Sequence, residues 1–121
     1  MMESFTEDFF ETDVLPEGVY DNAKLTSVRK EEGVETDKGL RDRISLHFDV
    51  DGYYIVEKMY IIKSHNSKLY RFIKGMSGGD FSEGFSFEDY IGEYFTVVIE
   101  HNETEERVWA NIEAIEPTHS I

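Results

Sequence analysis

The chain has 121 residues, with 26 acidic and 12 basic side chains and a net charge of −14. It holds no cysteine, which excludes disulfides, thiolate catalysis and cysteine-based zinc sites. No apolar run approaches the roughly 18 residues that span a bilayer, and the start MMESFTEDFFETD has no basic stretch leading into an apolar one. The expectation is a soluble, cytoplasmic protein of one domain, large enough to build its own core.

Residues 1–15 read as an acidic arm. Phe5, Phe9 and Phe10 stand there among Glu3, Glu7, Asp8, Glu11 and Asp13. Such a mixture suits docking on a partner or packing on the domain's own surface. Pro16 restricts Leu15 to extended backbone and marks the start of the folded body.

A long first strand follows, from Val19 to Lys30. Val19, Ala23 and Leu25 share one phase, Tyr20 and Val28 the other. That switch predicts a bulge or bend. Residues 31–40, EEGVETDKGL, read as a loop. The second strand has the clearest pattern: Ile44, Leu46, Phe48 and Val50 alternate with Arg43, Ser45, His47 and Asp49, so one face is buried and one is wet. Asp51-Gly52 then supplies a type I′ hairpin turn.

The third strand, residues 53–62, is apolar on both phases. Glu57 interrupts one set and Lys58 the other, and the pattern leaves the inward phase open. A helix is expected over 65–76, capped by Ser64 or Ser67. Leu69, Phe72, Ile73 and Met76 form its apolar stripe, and Gly75, Gly78 and Gly79 end it. Ser86-Phe87-Glu88-Asp89 matches a capping box and predicts one further helical turn, with Gly92 as its stop.

Strand four covers 94–101, with Phe95, Val97 and Ile99 on one phase. HNETEER is a hairpin loop. Strand five covers 107–115, with Val108, Ala110, Ile112 and Ala114 inward and Arg107, Trp109 and Asn111 outward.

Three strands, a helix and two strands is the element order of the OB-fold, a five-stranded, partly open Greek-key barrel. The expected division is an arm at 1–15, a barrel at 16–117 and a tail at 118–121. Ile44, Leu46, Phe48, Leu69, Phe72, Val97, Ile99, Ala110 and Ile112 should be buried.

Catalysis finds little support. Gly75-Met76-Ser77-Gly78-Gly79-Asp80 lacks the GK[ST] ending of a P-loop and follows a helix. No Ser stands in a G-x-S-x-G elbow. The four histidines show no paired metal spacing. His47 and His101 with an acid would be the one metal site to weigh against ordinary solvated histidines. The chain is read as non-enzymatic, without cofactor or metal.

Binding finds more. The net charge is unevenly spread: residues 1–23 hold seven acids and no base, residues 24–74 hold eleven bases against eight acids, and residues 75–121 hold eleven acids and one base. OB-folds bind along strands two and three, between the first and last hairpin loops. On this chain those places carry Arg29, Lys30, Lys38, Arg41 and Arg43; then Tyr54, Lys58 and Tyr60; then Arg107 and Trp109. Cations for phosphates and rings for bases are what sequence-tolerant binding of single strands requires.

LPEGVYDNAKLTSV, SKLYRFIKGM, FSFEDYIGEYFTVVIEH and WANIEAIEP together resemble small OB-fold, single-stranded DNA-binding-like proteins of phage and mobile-element replication modules in Gram-positive bacteria. The resemblance spans about residues 16–117 and supplies no site residue of its own. It implies single-stranded DNA as the partner, in replication or recombination. A replication or recombination protein met through the acidic arm, and self-association, are compatible with it; a membrane is not implied. This chain departs from the common pattern of an acidic C-terminal tail, since it ends in EPTHSI. The alternative is an OB-type protein–protein adaptor that meets a basic partner with its acidic surface. A carbohydrate-binding module is a third reading.

Overall fold

Among the described residues, alternation, turn chemistry and one amphipathic stretch produce five strands and one α-helix. The computed structural model describes residues 14–79 and 84–118. The strands are β1 (Gly18–Thr36), β2 (Gly39–Val50), β3 (Tyr53–Tyr60), β4 (Tyr94–Glu103) and β5 (Val108–Pro117), and the helix is α1 (Lys68–Met76). They form one antiparallel sheet of order β3-β2-β1-β4-β5. The sheet is not closed by a ladder: β3 and β5 are its two edges. Phe5, Phe9 and Phe10 lie outside the described residues.

The core is the inward phase of each strand, with Phe72 and Met76 of α1 and Phe87. Ile44, Leu46, Phe48, Phe72, Val97, Ile99 and Ile112 are buried as expected. Leu69 and Ala110 are only partly buried against that core. Leu15 is 1% exposed, so the core takes in the residue before Pro16. His101 Nε2 lies 2.7 Å from the Leu15 carbonyl, and Glu17 accepts the His101 N–H at 2.8 Å. Those bonds fasten the entry of the chain to β4.

The bend expected in β1 is present twice. Its register against β4 shifts between Tyr20 and Ala23, and against β2 between Leu25 and Ser27. Thr26, the extra residue, donates its hydroxyl to the His47 carbonyl at 3.0 Å. The first shift turns Tyr20 toward the core and leaves Val19 exposed.

Residues 31–40 are not a loop, as the charges and glycines suggested. They continue β1 and β2 to a tight turn at Asp37-Lys38. Thr36 Oγ1 accepts the Lys38 N–H at 3.2 Å and donates to the Gly39 carbonyl at 2.6 Å. Gly33, at φ 65°, sits in a bulge between Glu31 and Val34 and donates to Asp42 Oδ1 at 3.2 Å. The polar residues that resembled a loop are therefore paired across a ribbon. At the other hairpin of β2, Asp51 and Gly52 both have positive φ, 53° and 86°, as a type I′ turn demands.

In β3 the inward phase is Ile55, Glu57 and Met59. Glu57 is 2% exposed and fully engaged. Its Oε1 lies 2.8 Å from Lys68 Nζ, and its Oε2 accepts the Ile112 N–H at 3.0 Å. One carboxylate thus joins the edge strand β3 to the edge strand β5 and to the first residue of α1. Lys68 Nζ also donates to the Lys58 carbonyl at 3.0 Å.

α1 begins at Lys68, later than expected, because Ser67 is the cap that accepts the Tyr70 N–H at 3.1 Å. Gly75 lies inside the helix and does not end it. A Cβ there would stand 2.3 Å from the Ile115 carbonyl oxygen, so glycine permits the helix to rest directly on β5. The later turn is a single 3-10 turn at Phe87–Tyr90, without the expected side-chain cap from Ser86.

β5 departs from its expected phase. The register against β4 shifts between Val98 and Ile99, which puts Glu113 into a bulge. Ile115 is buried and Ala114 is exposed. Val108 lies past the core at the hairpin end and is exposed.

Candidate nucleic-acid interface

Register decides which side chains share a face. Across the β1–β2–β3 ladders, Arg29 lies opposite Ser45, which lies opposite Lys58; Glu31 lies opposite Arg43, which lies opposite Tyr60. Ser27, His47 and Val56 form the next row, and Lys24, Asp49 and Tyr54 the one after. Arg41 continues the Arg43 phase opposite Val34. This is the outer face, away from the core. It carries Lys24, Arg29, Arg41, Arg43 and Lys58 against Glu31 and Asp49, an excess of base in a chain whose net charge is −14. Ser45 is buried in its midst, because the stems of long charged side chains cover what lies between them.

Arg43 is not a free cation. Its Nη2 and Nε donate to Glu31 Oε2 and Oε1 at 2.8 and 3.3 Å. The bond from Arg43 holds the Glu31 carboxyl below its usual range, and Glu31 raises the Arg43 guanidinium in turn. The stability contributed by the pair is complete above the ordinary carboxyl value of 4.5 and is lost as pH falls through the lowered value of Glu31. The Arg43 guanidinium also stands 6.0 Å from the centroid of the Tyr60 ring. Arg29 and Lys58 add attraction to Glu31, so three bases surround one acid.

A concavity of about 470 Å³ opens where the β1–β2 ribbon passes the end of β3, lined by Lys38, Arg41, Tyr60 and Ile62 together with the acids Glu35 and Asp37. A second, of about 290 Å³, lies where β3 and β5 begin, and is lined by Tyr53, Tyr54, Val56, Arg107 and Trp109 among others. The Arg107 guanidinium stands over the Trp109 ring, 4.8 Å from its centroid. Tyr54 is exposed, and its hydroxyl is hydrogen-bonded to His47 Nδ1.

The sequence-derived set therefore divides. Arg29, Arg41, Arg43, Lys58 and Tyr60 share one strip, with Lys38 at the turn beside it. Tyr54, Arg107 and Trp109 meet at the β3–β5 seam. Six residues of extended strand, about 20 Å, separate Tyr60 from Tyr54. Lys30 does not join either group: it lies opposite Ile44, whose side chain is buried, so it belongs to the other phase. The bulge at Thr26 resets the phase that a simple alternation would give it.

Three members of the face escaped sequence reasoning. Lys24 and Tyr94 stand opposite each other on β1 and β4, with Lys24 Nζ 5.9 Å from the Tyr94 ring centroid. His47 sits at the centre, partnered with Tyr54. Their outward phase was visible in the sequence; their adjacency required the strand order. Among the described residues no three His, Asp or Glu side chains gather into a cluster that could hold a metal, and His101 is engaged with Leu15. No helix among them is long and apolar enough to cross a membrane.

No protein-family model matches the chain, and no curated protein matches it either.

Proposed function

We propose that this chain is an OB-type barrel that binds single-stranded DNA with little sequence preference, without catalysis, in phage or mobile-element replication or recombination. The sheet order supports the barrel: β3-β2-β1-β4-β5 is what such a barrel gives when its β3–β5 seam carries no ladder. The Glu57 carboxylate across that seam and α1 beside it support the same reading. The replication setting is supported by the sequence resemblance alone.

The observation that carries the binding reading is the outer face. Bases outnumber acids there, and rings with a cation over them flank it: Arg43 at Tyr60, Arg107 at Trp109, Lys24 at Tyr94. A ring takes a base and the adjoining cation takes a phosphate. Neither requires a particular sequence, because every base has a π-face.

The test is a fluorescence titration of a labelled oligo-dT at two salt concentrations. Binding at about 50 mM salt that weakens steeply as salt rises is the expected result. Absence of binding at that salt would favour the adaptor. One observation already points that way. A hollow of about 620 Å³ beside the β4–β5 hairpin is lined by Glu105 and Glu106 with a single base, Arg107. A pull-down with a basic replication protein would then decide.

A further inference from the structure

The outer face continues past β1. In the ladders Tyr94 lies opposite Lys24, Lys24 opposite Asp49, and Asp49 opposite Tyr54. Residues directly opposed in a ladder share a face. The four therefore form one row across β4, β1, β2 and β3. Its end rings are wet: Tyr94 is 53% exposed and Tyr54 is 68% exposed. Adjacent strands lie about 4.8 Å apart, which puts the two Tyr positions about 14 Å from each other.

Each member is held in place. Lys24 stands over the Tyr94 ring, and the Tyr54 hydroxyl is bonded to His47. Asp49 Oδ1 accepts the Gly52 N–H at 3.0 Å, so the hairpin turn sets the position of its carboxylate. A hollow of about 370 Å³ lies beside the row, lined by Asn22, Lys24, Asp49, Asp51, Gly52 and Tyr94. Asp51 there accepts from Asn22 Nδ2 at 3.4 Å.

An acid at the centre of such a row repels phosphate. It is a good acceptor for an amine. Cytosine and adenine each present an exocyclic amino group, whereas thymine presents a carbonyl and a methyl at the same edge. We infer that this row is a further subsite of the interface, which reads one amino-bearing base between Tyr54 and Tyr94. Asp49 accepts from the exocyclic amine, and Lys24 takes the neighbouring phosphate. The subsite rests on the proposal that the chain binds single-stranded DNA, and it adds a modest preference to a surface otherwise blind to sequence.

Oligo-dC and oligo-dT of equal length provide the test, because the two pyrimidines match in size and differ at that edge. The full chain should bind oligo-dC about ten-fold more tightly at one salt and neutral pH, the lower end of the worth of one hydrogen bond to a charged group. Asp49→Asn keeps an oxygen for the Gly52 N–H but replaces the second oxygen with a donor. It should abolish the preference or turn it toward oligo-dT. Tyr94→Ala, at an exposed ring, should weaken both oligonucleotides by about ten-fold. Equal affinity of the wild type for both would overturn the subsite. So would a preference that survives in Asp49→Asn, or a Tyr94→Ala protein that binds like the wild type. A wild type that binds neither oligonucleotide removes the DNA reading and the subsite together; binding without discrimination removes the subsite alone.

Discussion

The β1–β2 and β4–β5 hairpins are antiparallel ribbons of the same sheet that carry their charge differently: the first holds six bases and seven acids sorted by face, the second six acids and one base. The outer face of the first holds Lys24, Arg29, Arg41 and Arg43 against Glu31 and Asp49. The second carries Glu100, Glu103, Glu105, Glu106, Glu113 and Glu116, with Arg107 alone opposing them. Between them, the outward phase of β4 nearest β1 is Tyr94, Thr96 and Val98, which has no charge. That uncharged stretch separates the basic strip from the acids of the second hairpin. Salt screens over about 8–10 Å, so a ligand on one face is governed mainly by the charges of that face. The net charge of the chain is a sum over surfaces that act separately.

The largest expected effects come from disturbing what holds the two ribbons in one body. Leu15→Ala empties a fully buried site where the chain entry meets β4. It should destabilise by about 3 kcal/mol in a denaturant titration. Glu57→Ala leaves the Ile112 N–H without its acceptor, while Lys68, half exposed, can turn to water. A loss of about 2–3 kcal/mol is expected. Hydrogen exchange at Ile112 should quicken before the rest of β5, and an unchanged rate there would mean that the seam is held by something else.

Smaller effects separate the faces. Tyr60→Ala and Trp109→Ala should each weaken single-stranded DNA binding by about 1–3 kcal/mol with the salt slope unchanged. Arg41→Ala should reduce that slope by about 0.7, one released counterion on a single strand. Arg43→Ala should reduce it by less, because Glu31 already neutralises it. Glu31→Gln should do the opposite, releasing Arg43 and steepening the slope. Least of all, Glu105→Gln with Glu106→Gln should leave affinity within about two-fold at physiological salt. A large gain from that pair would mean that the acidic ribbon does reach the basic face.

What the sequence disclosed followed from how local its cause was. β2 was legible because one of its faces is wet and the other dry, and Asp51-Gly52 announced its turn. α1 was legible from its apolar stripe, and only its start was misplaced. The inward phase of β3 was not legible. Glu57 interrupts the buried set when read along the strand, yet it belongs to that set, because Lys68 and Ile112 satisfy it from elsewhere in the chain. The extension of β1 and β2 was hidden by charges that pair across the ribbon, as Glu31 does with Arg43. Ala114 was assigned to the wrong face by a bulge that no period reveals, and another bulge decides which of Arg29 and Lys30 shares the Arg43 phase. The candidate interface shows the same division. Its members on β2 and β3 follow from alternation, whereas Lys24 and Tyr94 join them only through register.

The meeting of the two sheet edges bears on how the protein behaves in a crowded solution. An edge strand ordinarily displays a row of amide and carbonyl groups on which another chain can grow. Here β3 and β5 face each other, a charged side chain points inward between them, and α1 lies against β5. A second copy would have to displace the Lys68–Glu57 pair and then leave that carboxylate facing its own backbone. The same carboxylate that joins the fold thus discourages strand-by-strand polymerisation. A protein that lost it would be expected to form fibrils or visible precipitate at concentrations where the parent stays clear.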